Sequence, residues 1–172
     1  MHGNFLEEEA VLPRLMASNA LRANLSKHMA LNQMADQKAS MIMTASSLII
    51  TIALTQFDRL GMPVFLVLLL TGGLAILFSI FAIIPALHVK GFLNLFYFRS
   101  FSQVSEEEFL SAFKSTLADR DALYDAYIRE IYFLGRHRLT HKYALIRNGL
   151  WTLLCGLGTA SILTILRYLG NP

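Results

Sequence analysis

The stretch LGMPVFLVLLLTGGLAILFSIFAIIPALHV, Leu60 to Val89, runs thirty residues without one Asp, Glu, Lys or Arg. A helix crossing a bilayer core of roughly 30 Å needs about 20 apolar residues. A charge at the bilayer centre costs at least about 2.5 kcal/mol. So long an apolar run is hard to place in a small soluble domain, and it predicts a membrane-spanning helix over residues 63–89. Pro63 suits the first turn, where its missing N–H is no loss. Gly72, Ala75, Ser79 and Ala82 make a small-residue face, with Gly73 beside it. Pro85 predicts a bend, His88 and Lys90 the exit from the membrane, and Gly91 the stop.

Two more charge-free runs flank it, Ala39 to Phe57 and Asn148 to Leu166. They explain why the 172 residues are 55% hydrophobic and only 16% charged, against about 25% in ordinary soluble domains. The reading is an all-α membrane protein with three transmembrane helices, over residues 41–57, 63–89 and 149–166. Residues 1–40 and 90–148 remain outside the bilayer as helical extensions. Thirteen of the fifteen Lys and Arg fall in residues 1–38 and 90–147, leaving only Arg59 and Arg167. The positive-inside rule then makes the N-terminus cytoplasmic and the short connection at Asp58 to Met62 external, in a multi-pass arrangement. No cleavable signal peptide is expected, since Glu7, Glu8 and Glu9 stand where an apolar core would be.

Residues 1–17, interrupted by Pro13, predict a short helix or an adaptable tail. Ser18 or Asn19 can cap a helix that continues through the first span to Phe57, about 60 Å long at 1.5 Å per residue. Within that span Thr44, Ser47, Thr51 and Thr55 share one face, a packing surface or a pore lining. In the third span Thr152, Gly156, Ala160 and Thr164 recur every four residues, another close-contact surface. Trp151 and Tyr168 sit where interfacial aromatics belong. Small-residue faces in so short a chain predict a homo-oligomer, embedded in the lipid bilayer.

Between the second and third spans, Phe92, Phe96, Tyr97 and Phe98 are too few to cross a membrane and predict an interfacial or packing segment. Ser105 with Glu108 reads as a capping box and Val104 with Phe109 as its hydrophobic staple, so a helix starts there. A break is expected near Ala118 to Asp121. From Asp121 to Leu166 the spacing predicts largely one helix, weakened at Gly135 by about 1 kcal/mol relative to alanine.

Counting back from the spans puts Asp36 and Lys142 at similar depth. An interhelical ion pair is expected there, or a network of Asp36, Lys38 and Lys142. Arg136, Arg138, His141, Lys142 and Arg147 form a basic cluster above the third span. It reads either as a phosphate-binding site or as a contact for anionic lipid headgroups. The lone Cys155 has no disulfide or metal-ligand partner in the sequence. No metal-ligand spacing, nucleotide-binding glycine loop or nucleophile elbow is present. The expectation is no enzymatic activity, no metal or cofactor and no nucleic-acid partner.

Three stretches taken together carry a resemblance. They are Ala35-Asp36-Gln37-Lys38-Ala39 before the first span; Asn94-Leu95-Phe96-Tyr97-Phe98 followed by Ser105-Glu106-Glu107-Glu108-Phe109; and Ile131-Tyr132 with His141-Lys142-Tyr143 before the last span. In this order they resemble the membrane effectors of bacterial Pycsar antiphage systems, over roughly residues 20–168. The resemblance implies an effector that damages the inner membrane when a partner cyclase makes cyclic CMP or cyclic UMP. The residues by themselves leave two other readings open, a constitutive subunit of a membrane complex and a small oligomeric ion channel.

Overall fold

The computed structural model describes residues 3–84 and 94–170. Among the described residues all the elements are helical. They are α1 (Gly3–Thr55), α2 (Phe57–Leu60), α3 (Met62–Ile83), α4 (Phe98–Phe101), α5 (Glu106–Ala118), α6 (Arg120–Phe133), a π-helical segment (Leu134–Leu139) and α7 (Thr140–Gly170). Stretches of α1, of α3 and of α6 through α7 are long and apolar enough to cross a membrane. The expectations for Pro85, His88, Lys90, Gly91 and Phe92 lie outside the described residues.

Two compact units result. Residues 33–84 and 139–170 form the apolar one. Its core is small-residue packing of α1, α3 and α7. Ala35, Ala39 and Ile42 meet Ala75, Ala82, Ile146 and Leu153, with Ile49, Ile83, Tyr143 and Leu145 against them. On α3 the buried positions are Val64, Gly72, Ala75, Ser79 and Ala82, spaced so that they fall on one side of a helix. Glycine permits two of the contacts. A Cβ at Gly156 would fall onto the Thr71 side chain, and one at Gly72 would press on Ile50. Such close approach is how helices associate where lipid removes the ordinary hydrophobic driving force.

The connection between α1 and α3 differs in detail from the tight turn expected at Asp58–Pro63. α1 ends at Thr55, and Phe57–Leu60 adds one helical turn before Gly61. Gly61 has φ 77°, the left-handed region that favours glycine. Pro63 lies in the first turn of α3. Phe57 and Phe65 pack edge to face across the turn with centroids 4.8 Å apart. Arg167, near the end of α7, donates from Nη1 to the Arg59 carbonyl at 3.0 Å.

Residues 3–32 and 94–138 form the second unit. Here the sequence reading needs one correction. The helix does not start at Ser18; it is continuous from Gly3, with Pro13 inside it. The residues around Pro13 include Leu, Glu, Ala and Met, all good helix formers, and together they offset one unfavourable proline. α5 starts at Ser105, whose hydroxyl accepts from the Glu108 amide at 3.2 Å. α5 and α6 are separated by the extended Asp119, whose carboxylate caps α6 by accepting from the Asp121 amide at 2.9 Å and the Ala122 amide at 3.4 Å.

Candidate functional site

Within the apolar unit, α1 and α7 carry a polar contact beside the buried Ala35 and Ala39. Lys142 Nζ lies 2.6 Å from Asp36 Oδ1; the lysine side chain is 12% exposed and the aspartate 39%. Lys38 does not join them. Its ammonium sits over the Tyr143 ring, 5.4 Å from the centroid. The reason is helical geometry: residues two apart on a helix point to different sides, so Asp36 and Lys38 reach α7 at separate places. One ion pair and one cation–π contact therefore bridge the same two helices.

The hydroxyl face of α1 lies elsewhere. Thr44, Ser47, Thr51 and Thr55 are all exposed, while the buried residues are Ala35, Ala39, Ile42, Ser46 and Ala53. At about 100° per residue the two sets occupy opposite sides of the helix. Thr51 and Thr55 spend their hydroxyl protons on the Ser47 and Ile52 carbonyls, at 2.9 and 3.0 Å. Among the described residues the stripe takes no part in packing within one chain. In α7, by contrast, Gly156 and Ala160 are buried and Thr152 and Thr164 half-buried.

The members of the basic cluster have separate surroundings. Arg138 stacks on Tyr97, its guanidinium carbon 4.6 Å from the ring centroid, and Tyr97 is buried. Lys142 faces Asp36. Arg136, His141 and Arg147 are exposed. Arg136 and Arg138 belong to the π-helical turn Leu134–Leu139. Such turns are rare and occur frequently at functional sites. Beside them Gly135 lies against the His28 ring of α1, whose Nδ1 is 2.9 Å from the Asn24 carbonyl.

Two features of the second unit were not singled out from the sequence. The first is a buried carboxylate. Glu130 is 6% exposed and accepts from the Asn94 side-chain amide. Asn94 is fixed in turn: its Oδ1 accepts from the Phe96 amide at 3.0 Å, and its own amide donates to Ser100 Oγ at 2.8 Å. Leu123, Tyr127, Glu130 and Leu134 follow a four-three-four spacing. An acidic residue on an otherwise apolar stripe was the available signal, because a buried charge needs a donor.

The second is a cleft. Ser18 and Arg22 of α1 line a cavity of about 160 Å³ together with Arg120, Tyr124 and Tyr127 of α6. Tyr127 is held from behind by Phe96, with centroids 4.9 Å apart, and Phe96 leads into Phe113 and Phe109. Arg120 makes a loose contact to Asp121, 3.7 Å between side chains that are 57% and 88% exposed. Among the described residues, no three His, Cys, Asp or Glu side chains gather as they would around a metal ion.

A family model described as the Pycsar effector protein domain matches residues 20–169. No curated protein and no solved structure matches the chain.

Proposed function

Because this chain belongs to the Pycsar effector family, we propose that it is an antiphage effector of the inner membrane, impairing that membrane's integrity when a cyclic pyrimidine mononucleotide is made. The observation that carries the reading is the family match over residues 20–169, on a chain with three helices able to cross a membrane. The asymmetry of basic residues supports a cytoplasmic N-terminus, with the polar unit in the compartment where the signal appears. No catalysis is needed: a change in how the three helices pack or assemble would open a path through the lipid.

The exposed hydroxyl stripe of α1 favours a homo-oligomer as the acting species, because such a face lets helices of neighbouring copies approach and hydrogen-bond. It also keeps a second reading open, an ion-selective oligomeric channel. The two separate by what crosses the membrane.

The test uses bacteria expressing the chain with a matching pyrimidine cyclase under separate control. Entry of propidium and collapse of the membrane potential are expected only when the cyclase is active. Loss of potential without dye entry would favour the channel. No change in either would contradict the effector reading.

A further inference from the structure

We infer that the cleft between α1 and α6, where Arg22 and Arg120 converge with Tyr124 and Tyr127, is the binding site for a cyclic mononucleotide. The inference rests on the reading that such a nucleotide triggers the protein, and it assigns the place where it acts.

The local geometry explains why these side chains meet. Ser18 and Arg22 are four residues apart on α1, and Arg120, Tyr124 and Tyr127 follow a four-three spacing on α6. Each set shares one helix face, and the two faces line one cavity. Two arginine side chains, both exposed, thus border the same small space. Among the described residues no carboxylate pairs with Arg22, and the Asp121 contact to Arg120 is of the exposed kind that contributes little. Like charges so placed favour an anion between them. Arginine's planar fork matches the two non-bridging oxygens of a phosphodiester.

The rest of the lining suits the other half of a nucleotide. Tyrosine presents an aromatic face with a polar tip, on which a planar base can stack. Tyr127 is already oriented by Phe96, so ordering its ring costs little on binding. Leu21 and Leu123 supply the apolar wall, and Ser18 a hydroxyl. The open cleft of about 160 Å³ is below the roughly 300 Å³ of a pocket that engulfs a drug-sized ligand. A cyclic mononucleotide would therefore sit only partly inside it, its phosphate toward the exposed Arg22 and Arg120 and its base toward the half-buried Tyr124 and Tyr127. The basic cluster read from the sequence is a weaker place for the same ligand, because Arg138 is engaged by Tyr97 and Lys142 by Asp36.

The experiment is isothermal titration of the full-length protein in detergent with cyclic UMP, cyclic CMP and linear uridine 5′-monophosphate. The variants are Arg22→Gln, Arg120→Gln, the charge-keeping Arg22→Lys, and Arg136→Gln as an exposed basic control. Wild type should bind a cyclic pyrimidine nucleotide in preference to the linear one. Each glutamine variant at Arg22 or Arg120 should weaken binding about tenfold or more, Arg22→Lys less, and Arg136→Gln not measurably. Thermal midpoints of the variants check that all remain folded, and Arg22→Lys carries the comparison if a glutamine variant does not. If wild type binds and both glutamine variants bind equally well, the cleft is not the site, while the triggering reading survives. An equal loss in Arg136→Gln would reduce the effect to general charge and overturn the assignment. A wild type that binds neither cyclic nucleotide would sink both the site and the trigger.

Discussion

Lys142 Nζ of α7 stands 2.6 Å from Asp36 Oδ1 of α1, with the lysine side chain 12% exposed and the aspartate 39%. A pair so placed lies between two limits. Exposed pairs contribute about 0–1 kcal/mol, whereas deleting one partner of a buried pair costs about 3–5 kcal/mol. We expect Asp36→Asn or Lys142→Met alone to cost about 1–3 kcal/mol, and the double variant to recover part of that loss. Thermal midpoints in detergent, combined in a double-mutant cycle, measure the coupling. Strictly additive effects would show that the contact holds nothing.

Gly156 and Thr71 set how closely α3 and α7 approach. Gly156→Ala places a methyl group onto the Thr71 side chain and should destabilise by about 1–3 kcal/mol, the usual cost of overpacking. Adding Thr71→Gly, which removes the Thr71 Cβ as well as its branches, should relieve the contact, whereas Thr71→Ala keeps that Cβ and should relieve it only in part. Gly158, on the same helix, has nothing within 4 Å of an added Cβ, so Gly158→Ala should leave the thermal midpoint unchanged or slightly raised.

Thr44 and Thr51 lie on the exposed side of α1, away from the packing within one chain. Thr44→Leu with Thr51→Leu should therefore leave the thermal midpoint of the detergent-solubilised protein within about 0.5 kcal/mol of wild type. If the stripe joins copies, the same variant should lose chemical cross-linking between copies and cyclase-dependent dye entry. Full activity in the leucine variant would remove the stripe from the mechanism.

Asp119 caps the helix that carries Arg120 and Tyr124. Removing the cap in Asp119→Ala should cost about 1 kcal/mol. The loss should be local, with faster amide hydrogen exchange at Asp121 and Ala122, whose N–H groups the carboxylate holds. Exchange in α3 should not change.

The parts of the fold legible in the sequence are those set by local pattern. Charge-free length marks the spans, and the three helices able to cross a membrane are the result. Gly72, Ala75, Ser79 and Ala82 share one side of a helix, and these are buried residues of α3. Ser105 with Glu108 announces the start of α5. The order of short motifs carries a resemblance to the family whose model covers residues 20–169.

Other parts were not legible, for identifiable reasons. Ser46 and Ser47 are neighbours in sequence and about 100° apart on a helix. α1 has two small-residue stripes, and only tertiary packing selects the one with Ser46 as the buried side. Pro13 reads as a break when taken alone, yet helix continues on both sides of it. The cleft needs Arg22 and Arg120, 98 positions apart in the chain, and no local pattern joins them. Arg138 looked available in the sequence because its partner Tyr97 lies 41 positions away, whereas counting back from the spans did bring Lys142 to Asp36.

The most direct test of the central claim is dye release from liposomes. The purified protein is reconstituted into vesicles of inner-membrane lipid composition loaded with carboxyfluorescein, and cyclic UMP or cyclic CMP is added outside. The account predicts rapid release with a cyclic pyrimidine nucleotide, little release with linear uridine 5′-monophosphate, and none from protein-free vesicles. Intact vesicles at saturating cyclic nucleotide, with the protein shown to be inserted with its polar unit outward, would contradict it.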